Sequence, residues 1–457
     1  MKLIKPAAIL AATALAVSLA GCSTASSSST AVSSSAAAAV STSYSLENAI
    51  SLTFSDTGIS GSGSGVEIDG TALTITKAGT YAVSGSCADG SIKVKAGTED
   101  VVLLLNGLDL TSTTTAPIVC GKSTGVTIVA MDGTENTLAD TTANNKDNDD
   151  ASEDAENAVL KCKDGSQVVL CGTGTLSISA AGKNGIKSGT SNDGRDASLT
   201  IRDLTLNIDA PVNDAINAEQ ALNVESGTLN ISAGDDAVHC DYTLNIGAEG
   251  TEGPAITITA CYEGLEGADL NIYSGTIDIT ASDDCLNAAN GDLTDYNFTM
   301  NIYGGTINAY TSEGDGFDSN GDMTITGGAI AVWTANTADN QPLDADGTIT
   351  ISGGTVLAAG GSNGMGCTIT ADQAGIYYTS AALSTGDAFT LTDADGSTVY
   401  SGTAVCNASF VFYSAASLNA DSDYTITAND TASDPCTAST GTLTISGGFG
   451  GMGGPGG

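Results

Sequence analysis

The chain has 457 residues, with 13 Lys and Arg against 53 Asp and Glu, a net charge of -40 and 5% aromatic residues. A chain this negative is excluded as a nucleic-acid binder, because each phosphate contact needs a cation to displace counterions, and an anionic membrane surface repels it. Acidic, aromatic-poor chains are commonly disordered, but 41% hydrophobic content laid out in strict alternation points to a packed, β-rich fold.

Lys2 and Lys5 precede an apolar run from Ile9 to Leu19, too short to span a bilayer and typical of an export signal. The run closes on Leu19-Ala20-Gly21-Cys22, the pattern of a bacterial lipobox whose cysteine is diacylated. Residues 1–22 are therefore expected to be a lipoprotein signal, with Cys22 as the lipidation site. This places the chain outside the cytoplasm, held to the membrane or cell surface by its lipid alone. Residues 23–45, nearly all Ser, Ala and Thr, cannot bury a core and read as a tether. Ten further cysteines lack metal-type C-x-x-C spacing; they are expected as small buried apolar groups, although an oxidising compartment permits disulfides.

Residues 46–157 read as an N-terminal cap and irregular coils, with strands at 72–76, 92–95 and 101–105 and a charged insertion at 141–157. From about residue 170 short alternating strands recur, each followed by an acidic or polar turn. The apolar residues after these turns are Ile186, Ile216, Val238, Leu265, Leu286, Phe317 and Leu343, at gaps of 30, 22, 27, 21, 31 and 26 residues, a mean near 26. Helix-pair repeats are longer, and the helix or asparagine-ladder segment of leucine-rich repeats is missing. Ile, Leu, Val and Thr at period two suit a pleat with one buried face, and Gly, Asn and Asp suit its corners. The expectation is an all-β fold, a right-handed parallel β-helix over 158–370, in which each coil of about 26 residues stacks on its neighbour. Residues 371–446 lose the repeat and gain longer strands, at 389–392 and 424–427, as expected of a small C-terminal β cap. The glycine-rich 447–457 reads as a disordered tail.

Acids recur around the aligned apolar positions: Asp214, then Asp235 and Asp236, Glu263 and Glu266, Asp283 and Asp284, and Glu313, Asp315 and Asp318. Stacking would place them in a stripe along one edge, about 4.8 Å from coil to coil. Two bare carboxylates at about 5 Å repel by about 3 kcal/mol at an effective dielectric of 20. A calcium ion, with oxygen ligands at about 2.3–2.6 Å, bridges such a pair. Single turn acids need no ion, but paired acids at successive corners exceed what turns require. With no His or Cys cluster the donors favour calcium over zinc. Residues 313–322 are the densest stretch and do not match the EF-hand spacing. Residues 203–457 also hold 33 Asp and Glu and no Lys or Arg after Arg202.

The segments SAGDDAVHCD, CYEGLEGADLNIYSGTIDITASDDCLNA and EGDGFDSNGDMTITGG resemble the calcium-binding, carbohydrate-binding β-helix proteins on the surface of cellulolytic anaerobes. The resemblance covers roughly residues 60–370. It implies a pectate-lyase-like β-helix, calcium at these turns and affinity for cellulose and acidic pectic polymers such as polygalacturonate. Cys285 departs from the small residue usual at its place and puts the fine ligand geometry there in doubt.

Polysaccharide is the implied partner, with Tyr262, Tyr303, Tyr310 and Trp333 as the aromatic faces a sugar would meet. A pectin lyase or hydrolase is the rival reading. A lyase needs a base near the metal, and Lys183, Lys187, Arg195 and Arg202 lie several coils before the densest acids. His239, among acids, reads as a structural hydrogen-bonding residue, and evenly repeated carboxylates suit binding better than one catalytic pair. A third reading is a non-catalytic adhesin or spacer stiffened by calcium.

Overall fold

The structure is a computed structural model and describes residues 44–446 apart from 336–339, 362 and 365. The signal segment, Cys22, residues 23–43 of the tether and the 447–457 tail lie outside the described residues. Within them the chain is nearly all β, with a single 3-10 turn at Thr142–Asn144 and no α-helix. No helix among the described residues is long and apolar enough to cross a membrane.

A 34-stranded, mostly parallel sheet dominates. Three strands per repeat each pair with their counterparts one repeat before and after, giving three ladders. The first ladder runs through Thr175–Ser179, Thr205–Ala210, Thr228–Ala233, Ala255–Ala260, Thr276–Ala281, Thr306–Thr311, Ala329–Thr334 and Thr355–Gly360. The second carries all seven aligned apolar residues: Ile186 opposes Ile216, then Val238, Leu265, Leu286 and Phe317 in turn, and a bridge joins Phe317 to Leu343. The third includes Ser198–Ile201, Ala221–Val224, Thr299–Ile302, Asp322–Ile325 and Ile349–Ile351, together with the C-terminal parts of Val238–Ile246 and Leu265–Ile272.

Period-two alternation explains why the ladders hold. In the first, Leu206, Leu229, Ile256, Ile277, Ile307, Ile330 and Val356 stack rung on rung, all buried. Leu222, Leu244, Leu270, Met300 and Met323 do the same in the third. Such columns close the interior at crystal-like density, so a single methylene is felt. Glycine is required at the corner after the third ladder: Gly305 and Gly328 have φ of 91° and 92°, and a Cβ on either would lie 3.0 Å from the carbonyl oxygen one rung below.

Parallel pairing starts earlier than the sequence suggested, with Ile50–Ser55 already against Gly79–Cys87. In the 141–157 insertion, Asn144 is buried and its amide reaches Asp140 and the Ala158 carbonyl. The last parallel pairing joins Ile349–Ile351 to Gly366–Tyr378, and the strands that follow pair antiparallel. Gly366–Tyr378 takes Ser439–Ser446 and Phe410–Ala415 as partners, and a separate five-stranded sheet forms from Ala388–Asp393, Thr398–Thr403, Asp423–Ala428, Thr431–Ala432 and Cys436–Thr437. All ten described cysteines are free and eight are buried.

Candidate functional site

The turn from the first ladder to the second positions the acids. Two residues before each aligned apolar residue, the main chain is bonded rung to rung: Gly185 N–H to the Asp214 carbonyl, Ala215 to Asp236, Ala237 to Glu263, Gly264 to Asp284, Cys285 to Asp315 and Gly316 to Gln341, at 2.9–3.3 Å. Five acids, Asp214, Asp236, Glu263, Asp284 and Asp315, therefore sit directly above one another.

A second column runs beside them, one residue after each apolar position. It reads Lys161, Lys187, Asn217, His239, Glu266, Asn287 and Asp318 in strand register; Asp344 follows Leu343 at the next rung. The columns touch. Asn217 donates to Asp214 at 2.6 Å and Asn287 to Glu263 at 2.9 Å. His239 reaches Asp236 at 3.1 Å and Asp241 at 3.0 Å, and also pairs with Glu266. Carboxylate oxygens of Asp315, Asp318 and Asp344 lie within 4.8 Å of one another, as do ligand atoms of Asp236, His239 and Glu266.

Burial followed by mutual repulsion sets the electrostatics. Loss of water pushes the Asp284 carboxyl up to about 8 and Asp315 to about 7, with acidic neighbours adding to both. Asp214 and Asp318 rise to about 6, first through burial and then through Asp236 and Asp344 respectively. Glu263 rises to about 8 through burial, with Glu266 and Asp236 adding to it. Glu266 and Asp235 are pushed up for the same first reason. His239 is held firmly protonated: its three carboxylate partners overcome the burial that would discharge it. At this rung an imidazolium already sits among the acids.

Some expected residues fall outside the two columns. Asp235, Tyr262 and Asp283 form a third row, linked by main-chain bonds of 2.9 Å. Tyr262 is 48% exposed, and a hydrogen bond with Asp283 pushes its phenol up to about 12. Glu313 is exposed on the outer side of its turn. Asn217, Asp241, Asn287 and Asp344 join the edge although the sequence reading did not single them out. The residue after each aligned apolar position was the signal that would have found most of them.

The aromatic candidates divide. Trp333 is 3% exposed and meets Phe389 edge-on at 6.2 Å, and Tyr310 packs against the same buried cluster. Both were expected to face sugar and instead fill the seam with the C-terminal strands. Tyr303, on the corner after the third ladder, is 45% exposed and stacks on Tyr273 at 4.9 Å and 12°.

The family model described as carbohydrate-binding domain-containing protein matches residues 69–250 and 249–363. A carbohydrate-binding domain-containing protein of Acetivibrio thermocellus is 36% identical over 130 residues, 28% of this chain and 43% of that protein, so the match spans less than half of that relative's length. A solved structure, described as the polysaccharide lyase-like protein from C. thermocellum in a gadolinium derivative, is similar at 23% identity and a TM-score of 0.36, over 66% of this chain and 96% of that one.

Proposed function

The chain belongs to the family of carbohydrate-binding domain-containing proteins, and from that premise we propose that it binds acidic polysaccharide outside the cell through calcium held on its acidic edge. The three ladders are read as the faces of a right-handed parallel β-helix, and Cys22 as its lipid anchor. Polygalacturonate is the polymer chosen, because its carboxylates would share the ion with the protein's own.

The donor set fits a hard cation. Asp315, Asp318 and Asp344 supply oxygen only, in a volume one ion bridges. One observation carries the reading: Asn287, 7% exposed and lying between Glu266 and Asp318 in its column, keeps a buried side-chain oxygen with no hydrogen-bond partner. A buried, unpaired carbonyl oxygen is costly, and beside raised carboxyls it is what a cation would satisfy. Glu263, Glu266, Asn287, Asp284, Asp315, Asp318 and Asp344 would hold calcium, which supplies charge neutralisation and a bridge to a uronate. The chain's own residues fix the donors through main-chain bonds and exclude water through the buried column behind them.

Binding is preferred to lyase chemistry. Lys187 stands five rungs from Asp318, about 24 Å at the strand spacing, beyond the reach of a general base. His239 is taken up by three carboxylates.

Calorimetry of the full chain with polygalacturonate, in calcium and in chelator, tests this. Binding is expected only with calcium, with Asp318→Asn weakening it about tenfold, the effect of one lost charged contact of roughly 1.5 kcal/mol. Equal binding in chelator sinks the proposal, and an ultraviolet-absorbing unsaturated product would restore the lyase reading.

A further inference from the structure

Two asparagines of the second column touch the acid column, and they differ in what stands one rung before them. Asn287 lies between Glu266 and Asp318 in register, whereas Asn217 follows Lys187. Neighbouring rungs are about 4.8 Å apart, and here the side chains close that gap. Lys187 Nζ donates to Asn217 Oδ1 at 3.1 Å and pairs with Glu219 at 3.1 Å. On the far side of the same carboxamide, Asn217 Nδ2 lies 2.6 Å from Asp214 Oδ2. Lys161, one rung earlier, has Val119 and Lys187 as its neighbours in register and no carboxamide between them.

The backbone fixes all four groups. Asn217 and Glu219, two residues apart, share one outward face. The Glu219 N–H bonds the Ser188 carbonyl and the Gly185 N–H bonds the Asp214 carbonyl, each at 3.1 Å, so the main chain is tied rung to rung on both sides of Lys187. Asp214 is 4% exposed, and its Oδ1 accepts from the Asp236 N–H at 3.4 Å. The site thus holds an amine against a carboxamide, one carboxyl group at the amine and another at the amide nitrogen. These are the parts a transamidation needs, already in contact.

We propose that Lys187 and Asn217 join in an autocatalytic isopeptide bond that staples adjacent rungs. Glu219 takes one proton from the Lys187 ammonium, and the freed lone pair forms the Nζ–Cγ bond. Asp214 hands a proton to Nδ2, the Cγ–Nδ2 bond breaks and ammonia leaves. The second proton lost from Nζ restores Asp214, and the proton on Glu219 departs with ammonia as ammonium. A lysine ammonium and a carboxamide become a secondary amide and an ammonium ion, with no oxidant, metal or cofactor. The bond spans 30 residues of chain and lies where the lysines of the column end and its acids begin. It uses none of the groups proposed to hold calcium and is independent of the glycan reading.

Mass spectrometry of the full chain, folded, aged at neutral pH and then denatured, is the test. The intact mass is expected to fall short of the sequence by one ammonia. Digestion at lysine, arginine and glutamate should release one branched peptide joining the Lys187 and Asn217 segments. Lys187→Arg keeps the charge without the attacking amine, and should show the full mass and two separate peptides. Full mass with the two segments unlinked in the folded wild type would overturn the proposal. So would an ammonia loss with the segments separate, the mark of a succinimide at an asparagine. A branched peptide undiminished in the Asp214→Asn, Glu219→Gln double variant would also overturn it.

Discussion

Replacing Asp284 with asparagine should stabilise the calcium-free protein at alkaline pH while leaving it unchanged in acid. In the fold this carboxyl is pushed up to about 8, mainly by burial and then by Asp318, Asp315 and Asp283, from an ordinary 3.8. Because the folded value lies above the unfolded one, the fold holds a proton that the unfolded chain releases. Stability is therefore full below about pH 4 and drains away as pH rises towards 8. Each pH unit in that window removes about 1.4 kcal/mol per such proton, so about 4 kcal/mol between pH 5 and 8. Partial access of water to this half-buried group reduces the figure to about 2 kcal/mol. Asparagine keeps an oxygen to accept the 2.7 Å hydrogen bond from the Asp315 N–H, so geometry is preserved while the charge is lost. Urea unfolding followed by circular dichroism in chelator, at pH 5 and pH 8, reads the difference directly. If wild type and Asp284→Asn lose stability equally between the two pH values, the electrostatic account of this edge is wrong.

His239→Ala removes the imidazolium from among Asp236, Asp241 and Glu266 and should lower stability in chelator at pH 7 by about 3 kcal/mol, as when one partner of a buried pair is deleted; added calcium should recover part of it, and thermal melting in the two buffers checks both points. Trp333→Ala should cost about 3–5 kcal/mol through the cavity it leaves against Phe389, measured as a fall in the urea midpoint.

Much of this was legible in the chain itself. The seven apolar residues read as equivalent are in fact neighbours in register, because a buried stripe tolerates no slip: one residue of offset would turn every isoleucine outward. The acids two positions earlier follow from that alignment. Asp344 and Asn287 did not emerge, since an isolated Asp after Pro342-Leu343 and an Asn among alanines look like ordinary turn chemistry until the columns are stacked. Trp333 shows the limit from the other side. It alternates outward from the first ladder, as a surface residue should, with Tyr310 and Ala359 as its register neighbours. Leu357 on the ladder and Phe389 and Tyr413 from the C-terminal strands bury it there, and no local pattern announces that a distant segment folds back onto an outer face. The ladder of amides from Asn223 through Asn245 and Asn271 to Asn301 was missed for a similar reason: one asparagine per strand, at intervals of 22 to 30 residues, is indistinguishable from solvated polarity until the strands are paired.

The placement of the cations gives the molecule two unlike ends. Among the described residues, the ion pairs made by lysine or arginine fall between residues 99 and 225, and past Arg202 only His239 opposes the carboxylates. Because such a stack is held rung by rung, its early rungs are clasped by opposite charges, whereas its late rungs push against one another and are held by main-chain hydrogen bonds and packing without that clasp. Unravelling would therefore be easiest from the late end if that end were bare. The antiparallel strands that close it work as a stopper on a compressed spring, and dilution of the surrounding salt tightens the spring while strengthening the ion pairs of the opposite end.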